Sequence, residues 1–158
     1  MPSSLIETTT SVRPEWADNN DHMNLGYYVI AFDQATDNFY QSLDIGPEYR
    51  ARENSSIFTL GINVDYIREV FAGDSLRITT QLLDCDGKKM RYIHYMYEGT
   101  DPNPVAMNEC LAIHVEMSTR KSTPFPEAAQ QRLNSCLKAH DQLAIPKHAS
   151  RILGKKIG

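Results

Sequence analysis

Residues 25–43, LGYYVIAFDQATDNFYQSL, place Leu25, Tyr28, Val29, Phe32, Ala35, Thr36, Phe39 and Leu43 at steps of three and four. That is the i, i+3, i+4, i+7 pattern of an amphipathic helix, here with a wide apolar face. Asn24 stands in the N-cap position, and Gly46 with Pro47 marks the stop. PEYRARE (47–53) adds a short helical turn. A helix apolar around more than half its circumference must be wrapped rather than merely touched.

The flanking segments supply the wrapping. Upstream, LIETTTSVR (5–13) is rich in β-branched residues and reads as a strand ended by Pro14. Downstream, SSIFTLGINVDYIREV (55–70) predicts a long strand bent near Gly61. DSLRITTQLLD (74–84) alternates Leu76, Ile78, Thr80 and Leu82 against polar neighbours, and CDGKK turns the chain through Asp-Gly, a strong hairpin signal. MRYIHYMYE (90–98) and VAMNECLAIHVEMST (105–119), joined by DPNP, complete four strands in a row. STPFPEAAQQRLNSCLKAHDQ (122–142) reads as a helix opened by Pro126. The order strand, long helix, four strands, helix predicts an α+β domain with an antiparallel meander curled around the long helix.

At 158 residues the chain is expected to form a single domain, 1–158, with its core at about 5–120 and a C-terminal helix and basic tail over 121–158. Net charge is −4 with both signs interspersed, which offers nucleic acid and anionic membrane no global attraction. Cys85, Cys110 and Cys136 form no Cys-x-x-Cys pair and no disulfide framework, so reduced thiols are expected. MPSSLIETTT has neither the basic nor the apolar region of a signal peptide, and no apolar run reaches a membrane span. A cytoplasmic setting is expected.

The unusual stretch is EWADNNDHMNLGYY (15–28). Asp and Asn before a helix are ordinary caps, but one or two suffice, and Asp18, Asn19, Asn20, Asp21, His22 and Asn24 supply six. A calcium loop fails: His22 stands at its fifth position, Met23 at its obligatory glycine and Val29 at its twelfth. A zinc site is weak, because His94, His114, His140 and His148 show no paired spacing with His22. A third reading is chemical. A carboxylate just upstream of a helix start faces unpaired backbone amides, which are a natural oxyanion hole. The carboxylate then attacks a carbonyl directly or activates a water.

VRPEWADNNDHMNLGYY (12–28) resembles the first motif of the hotdog-fold thioesterases of the 4-hydroxybenzoyl-CoA thioesterase type. That motif is an Asp, two variable residues, Gly-His, an apolar residue, Asn and then Tyr. Asp18, His22, Met23, Asn24 and Tyr28 match in place, while Asp21 stands where the family usually has glycine. INVDYIREVFAGDSLRI (62–78) is similar to the family's second strand and its Gly-Asp turn. The resemblance spans about residues 6 to 120. It implies a hotdog fold, with a five-stranded antiparallel sheet around one helix, and a homodimer or a tetramer with active sites at the subunit interface. Carried onto this chain, it makes Asp18 the catalytic carboxylate, as nucleophile or general base. The Leu25 amide, with Asn24 beside it, would polarise the thioester carbonyl, and His22 and Asn24 would shape the loop.

The wording EWADNNDHMNLGYYVIAFDQATDNFY (15–40) is also similar to bacterial thioesterases of carnitine breakdown, which hydrolyse betainyl-CoA and in some cases are fused to L-carnitine dehydrogenase. Trp16, Tyr27, Tyr28 and Tyr66 are the expected substrate-binding residues, with Phe32, Tyr92 and Tyr95 as further candidates. Aromatic faces suit a quaternary ammonium, by about 2 kcal/mol when desolvated. No cofactor or metal is expected, since CoA enters with the substrate. Lys88, Lys89, Arg120 and Lys121 are available for its phosphates. Two rivals share the fold: an enoyl-CoA hydratase, whose Asp-x-Asn-Pro-x-His motif differs in spacing and proline, and a non-catalytic acyl-CoA-binding subunit. Asp33 and Asp37, one helical turn apart, are an alternative acid pair expected to face solvent.

Overall fold

The computed structural model describes residues 5–149. β1 (Ile6–Ser11) leads through a 3-10 turn at Pro14–Trp16 to α1 (Leu25–Ser42) and α2 (Pro47–Glu53). β2 (Ser55–Tyr66), β3 (Ser75–Cys85), β4 (Lys89–Glu98) and β5 (Pro104–Glu116) follow, then the two-residue β6 (Lys121–Ser122) and α3 (Glu127–His140). The five long strands form an antiparallel sheet in the order β1-β3-β4-β5-β2, and β6 adds to the end of β5. This curled sheet around α1 is the hotdog architecture.

The helix stripe does what its spacing predicts. Ala31, Phe32, Ala35 and Phe39 are fully buried. They meet Leu76, Ile78 and Met96 toward the start of the helix and Leu82, Met90 and Tyr92 toward its end. Burying a Phe side chain contributes about 1.5–3 kcal/mol, so Phe32 and Phe39 anchor the two halves of this core. Phe32 also stacks on His94, which sits between Thr36 and Thr80 at 2.8 Å from each hydroxyl. Burial pushes the His94 imidazole down to about 3, so it is a neutral wedge between helix and sheet.

The strands differ from expectation chiefly in β2, while β5 stops at Glu116 rather than Thr119 and the two-residue β6 was not expected. β2 bends at a bulge between Thr59 and Gly61, as the glycine suggested, but it ends at Tyr66 rather than Val70. The Val70 carbonyl leaves the ladder to accept the Met23 amide (2.9 Å), and His22 bridges to Phe71. Residues 67–74 therefore fasten the polar loop to the sheet instead of extending it.

Asp-Gly turns the β3–β4 hairpin with Gly87 at φ +93°, a conformation that favours glycine. α3 buries Ala129 and Leu133, and Arg132 caps the end of α1 by donating to the Leu43 carbonyl (2.6 Å). Residues 141–149 cross the sheet face turned away from α1: Gln81 donates to the Ala144 carbonyl, and the Tyr95 hydroxyl meets His148. The basic tail from 150 onward lies outside the described residues. Among the described residues no helix is long and apolar enough to cross a membrane.

Candidate active site

The polar cluster forms a closed loop. Ala17 bridges to Met23, the Asp18 amide donates to the His22 carbonyl (2.8 Å), and the Asn24 amide donates to the Trp16 carbonyl (2.9 Å). Inside it, Asp18 Oδ1 accepts from the amides of Asn20 (2.9 Å) and His22 (3.2 Å). The second carboxylate oxygen makes no hydrogen bond among the described residues. One oxygen is thus locked by backbone donors while the other is open.

Asp21 has φ +62°, in the left-handed region. That explains the departure from the family motif: glycine is usual there because the turn needs a positive φ, and Asp is among the few residues that tolerate it. The turn survives the substitution.

Asn24 is the N-cap, its side chain accepting from the Gly26 amide (3.0 Å) and its carbonyl from the Tyr27 amide. The Leu25 amide has no hydrogen-bond partner among the described residues, and Leu25 is 66% exposed. It is an unspent donor at the positive end of the helix dipole. Tyr66 fixes the same corner from the sheet, donating its hydroxyl to the Leu25 carbonyl (3.0 Å). Burial raises the Tyr66 and Tyr28 phenols, so both stay protonated donors. His22 turns its side chain away from Asp18: Nδ1 lies 2.9 Å from Glu69 and the ring meets the edge of Phe71. His22 thereby ties the loop to the β2–β3 connection. Glu69 was absent from the expected set, because an acid on a connecting segment carries no sequence signal for its partner.

Trp16 requires a correction. It was expected to offer a face to substrate, yet it is 4% exposed, stacked on Tyr27 (5.7 Å between centroids) with Arg13 5.2 Å from its ring centre. Packed against these two side chains, it lies within the base of the loop rather than on its surface. Tyr28 is buried as well and meets Tyr66 edge-on; Tyr27 is partly buried, and Tyr66, half exposed, is the most accessible aromatic of the four. Tyr95 lies on the far face of the sheet against His148.

The four lysines and arginines available for the CoA phosphates lie at the other end of the sheet from the Asp18 loop. Lys88 and Lys89 follow the β3–β4 turn and Lys121 lies in β6, whereas the Asp18 loop joins the start of β3. The 11 residues of β3 separate the two ends by roughly 35 Å. Within one chain they do not meet. Asp33 and Asp37 are exposed, as their polar neighbours suggested, but they rim a groove between α1 and β2. Among the described residues no cluster of three or more His, Cys, Asp or Glu could hold a metal ion.

A family description, the thioesterase-like superfamily, matches residues 12–133. The chain belongs to the thioesterase-like superfamily. This thioesterase is 29% identical over 154 residues to the betainyl-CoA thioesterase of Pseudomonas aeruginosa, covering 98% of this chain and 97% of that one. It is 32% identical over 158 residues to the L-carnitine dehydrogenase/betainyl-CoA thioesterase of Ruegeria pomeroyi, of which it spans 31%. Among solved structures, a putative thioesterase from Pseudomonas putida superposes with a TM-score of 0.82 at 27% identity, covering 100% of this chain and 99% of that one. A Staphylococcus aureus protein solved in complex with CoA has the same fold, with a TM-score of 0.89 at 24% identity and coverage of 97% and 96%.

Proposed function

We propose that this thioesterase hydrolyses betainyl-CoA to glycine betaine and CoA, with Asp18 as the reacting carboxylate and the Leu25 amide as the oxyanion donor. The observation that carries the reading is the Asp18 loop: one carboxylate oxygen held by two amides, beside a helix whose first amide is unpaired. The free oxygen removes a proton from a water that attacks the carbonyl carbon, or attacks that carbon itself to give a mixed anhydride that water then hydrolyses, restoring the carboxylate. The carbonyl oxygen gathers charge against the Leu25 amide, the carbon–sulfur bond breaks, and the CoA sulfur takes a proton. A preorganised donor at such a position is worth about 10²–10³ in rate. The substrate choice is supported by the near full-length likeness to the P. aeruginosa enzyme. The three thiols are unpaired, which suits the cytoplasm.

The working unit is a homodimer paired along β2. In a single chain β2 is an open edge carrying Phe58, Leu60, Ile62 and Tyr66, with Ile67, Phe71, Leu25 and Ile30 beside it, all at least 36% exposed. An exposed edge this apolar calls for a partner, and a two-fold closes it with a second copy. Sedimentation of the purified chain is expected to give a species of twice the monomer mass. Free-thiol release from betainyl, acetyl, longer straight-chain and aromatic CoA esters tests the activity. Betainyl-CoA should lead, and Asp18→Asn should abolish the release. Fastest release from an aromatic or fatty ester would keep the hydrolase and discard the betaine substrate. Release from none would move the reading to a binding subunit.

A further inference from the structure

The groove between α1 and β2 encloses about 250 Å3. Val29, Ile30, Asp33 and Thr36 of the helix form one wall, Thr59 and Ile62 of β2 the other, and Tyr92, Asn108 and Cys110 the floor. Most of the polar floor is already spoken for. The Tyr92 hydroxyl pairs with Tyr40 at 2.8 Å, and the Thr36 hydroxyl pairs with neutral His94. Asn108 differs. It is 3% exposed, its register across from Val64 and His94 puts its side chain on the helix side of the sheet, and its Oδ1 has no partner.

An unpaired buried carbonyl oxygen costs about 1–3 kcal/mol and is expected to have a use. What can satisfy it is fixed by its surroundings. The charged group on this part of the groove is Asp33, with Asp37 one turn further on; Arg50 lies beyond, in the continuation of the groove toward Pro47. The lining offers acceptors, negative charge and the tyrosine ring. An anion would be repelled, and a neutral alkyl group would leave both Asn108 and Asp33 unsatisfied. A quaternary ammonium needs no hydrogen-bond acceptor of its own geometry, only negative potential, oxygen atoms and aromatic carbon at contact distance.

Reach then decides which chain supplies what. In a betainyl group the nitrogen is two bonds from the carbonyl carbon. Leu25 and Asp33 are eight residues apart on α1, about 12 Å along the axis. One chain therefore cannot polarise the carbonyl with Leu25 and hold the nitrogen at Asp33. A second copy paired antiparallel along β2 runs its own α1 in the opposite direction and carries its helix start toward this groove. Resting on the betainyl-CoA and homodimer readings above, we infer that Asn108 and Asp33 of one protomer form the trimethylammonium subsite for the thioester whose carbonyl is held by Asp18 and Leu25 of its partner.

The test compares betainyl-CoA with 3,3-dimethylbutanoyl-CoA, the same shape with carbon in place of the charged nitrogen. The wild type is expected to favour the charged ester by tenfold or more in kcat/KM. Asp33→Asn and Asn108→Leu are each expected to narrow that ratio at least fivefold, with folding checked by thermal melts. An equal loss on both esters would overturn the subsite. The assignment across the dimer is tested by isolating, with two affinity tags, the heterodimer of Asp18→Asn with Asp33→Asn. One of its two sites then has both carboxylates, and about half the wild-type rate with the full preference for the charged ester is expected. Turnover without that preference would mean the two residues act within one chain and would overturn the trans placement. If the wild type cleaves neither ester, the hydrolase reading fails. Calorimetric titration with tetramethylammonium then decides the subsite alone: binding weakened by Asp33→Asn supports it, and no binding by the wild type overturns it.

Discussion

Asn108 and Glu109 are neighbours in β5, both buried, and they point to opposite faces of the sheet. On the outer face the Glu109 carboxylate is 1% exposed and meets the Arg91 guanidinium at 2.9 Å. On the inner face the Asn108 oxygen is equally buried and has nothing. Had both been structural, both would be paired, because the interior penalises an unmet polar atom on either side. The difference separates a polar group that closes the fold from one that waits for a ligand.

That comparison can be broken in several ways. The largest effect is expected at the loop that the inner face serves: Asp18→Asn should lower thiol release by about 10³-fold or more while leaving the melting temperature within a few degrees. A comparable rate in the variant would remove the carboxylate from the mechanism. On the outer face, Glu109→Gln removes a charged partner of Arg91 at 2.9 Å in a mostly buried site and should cost about 3 kcal/mol in urea unfolding. A loss under 1 kcal/mol would mean that the pair is not structural.

An intermediate effect is expected from pH. Unfolded, the imidazole of His94 titrates near its ordinary 6.5; folded, burial holds it at about 3. The unfolded chain therefore binds the extra proton, so stability is full above about pH 6.5 and is lost as pH falls toward 3. Between pH 7 and pH 5 the loss should be about 2 kcal/mol, with His114 and His140, also lowered by burial, acting in the same direction. Urea midpoints at the two pH values measure it, and an unchanged midpoint would show that His94 opens to water.

Smaller still is the cost of Asp21→Val, about 1–2 kcal/mol for a β-branched residue at positive φ, together with slower turnover as the Asp18 loop distorts. Asp21→Gly should keep full turnover and gain a few tenths of a kcal/mol. The smallest change in stability is expected for Asn108→Leu, neutral or slightly stabilising, since it removes an unmet polar group from the interior. A destabilisation like that of Glu109→Gln would erase the contrast between the two faces.

The sequence made the fold readable because hydrophobic period and turn chemistry are local: the α1 stripe, the Gly61 bend, Asp-Gly at 86–87 and Pro126 all stand where elements begin, bend or end. The Asp18 loop was legible for the same reason, since the hydrogen bonds of its carboxylate span at most four residues. What escaped was non-local. Trp16 looks free in a line of text, but Arg13 and Tyr27 cover it only once the loop has folded. Asn108 sits in an apolar strand pattern with nothing to mark it, and its significance depends on residues of α1 and β2 far away in the chain. The strand end at Tyr66 was missed because Val70 has every propensity for a strand, while its carbonyl is taken by Met23.

The covering of Trp16 has a practical consequence. It is the single tryptophan of the chain, it is screened from water, and its carbonyl holds the Asn24 amide at the start of α1. Its fluorescence is therefore a built-in reporter of the Asp18 loop, free of other tryptophan signal. A blue emission maximum marks the closed loop. A red shift that precedes the loss of helical circular dichroism would time the opening of that loop separately from the melting of the domain.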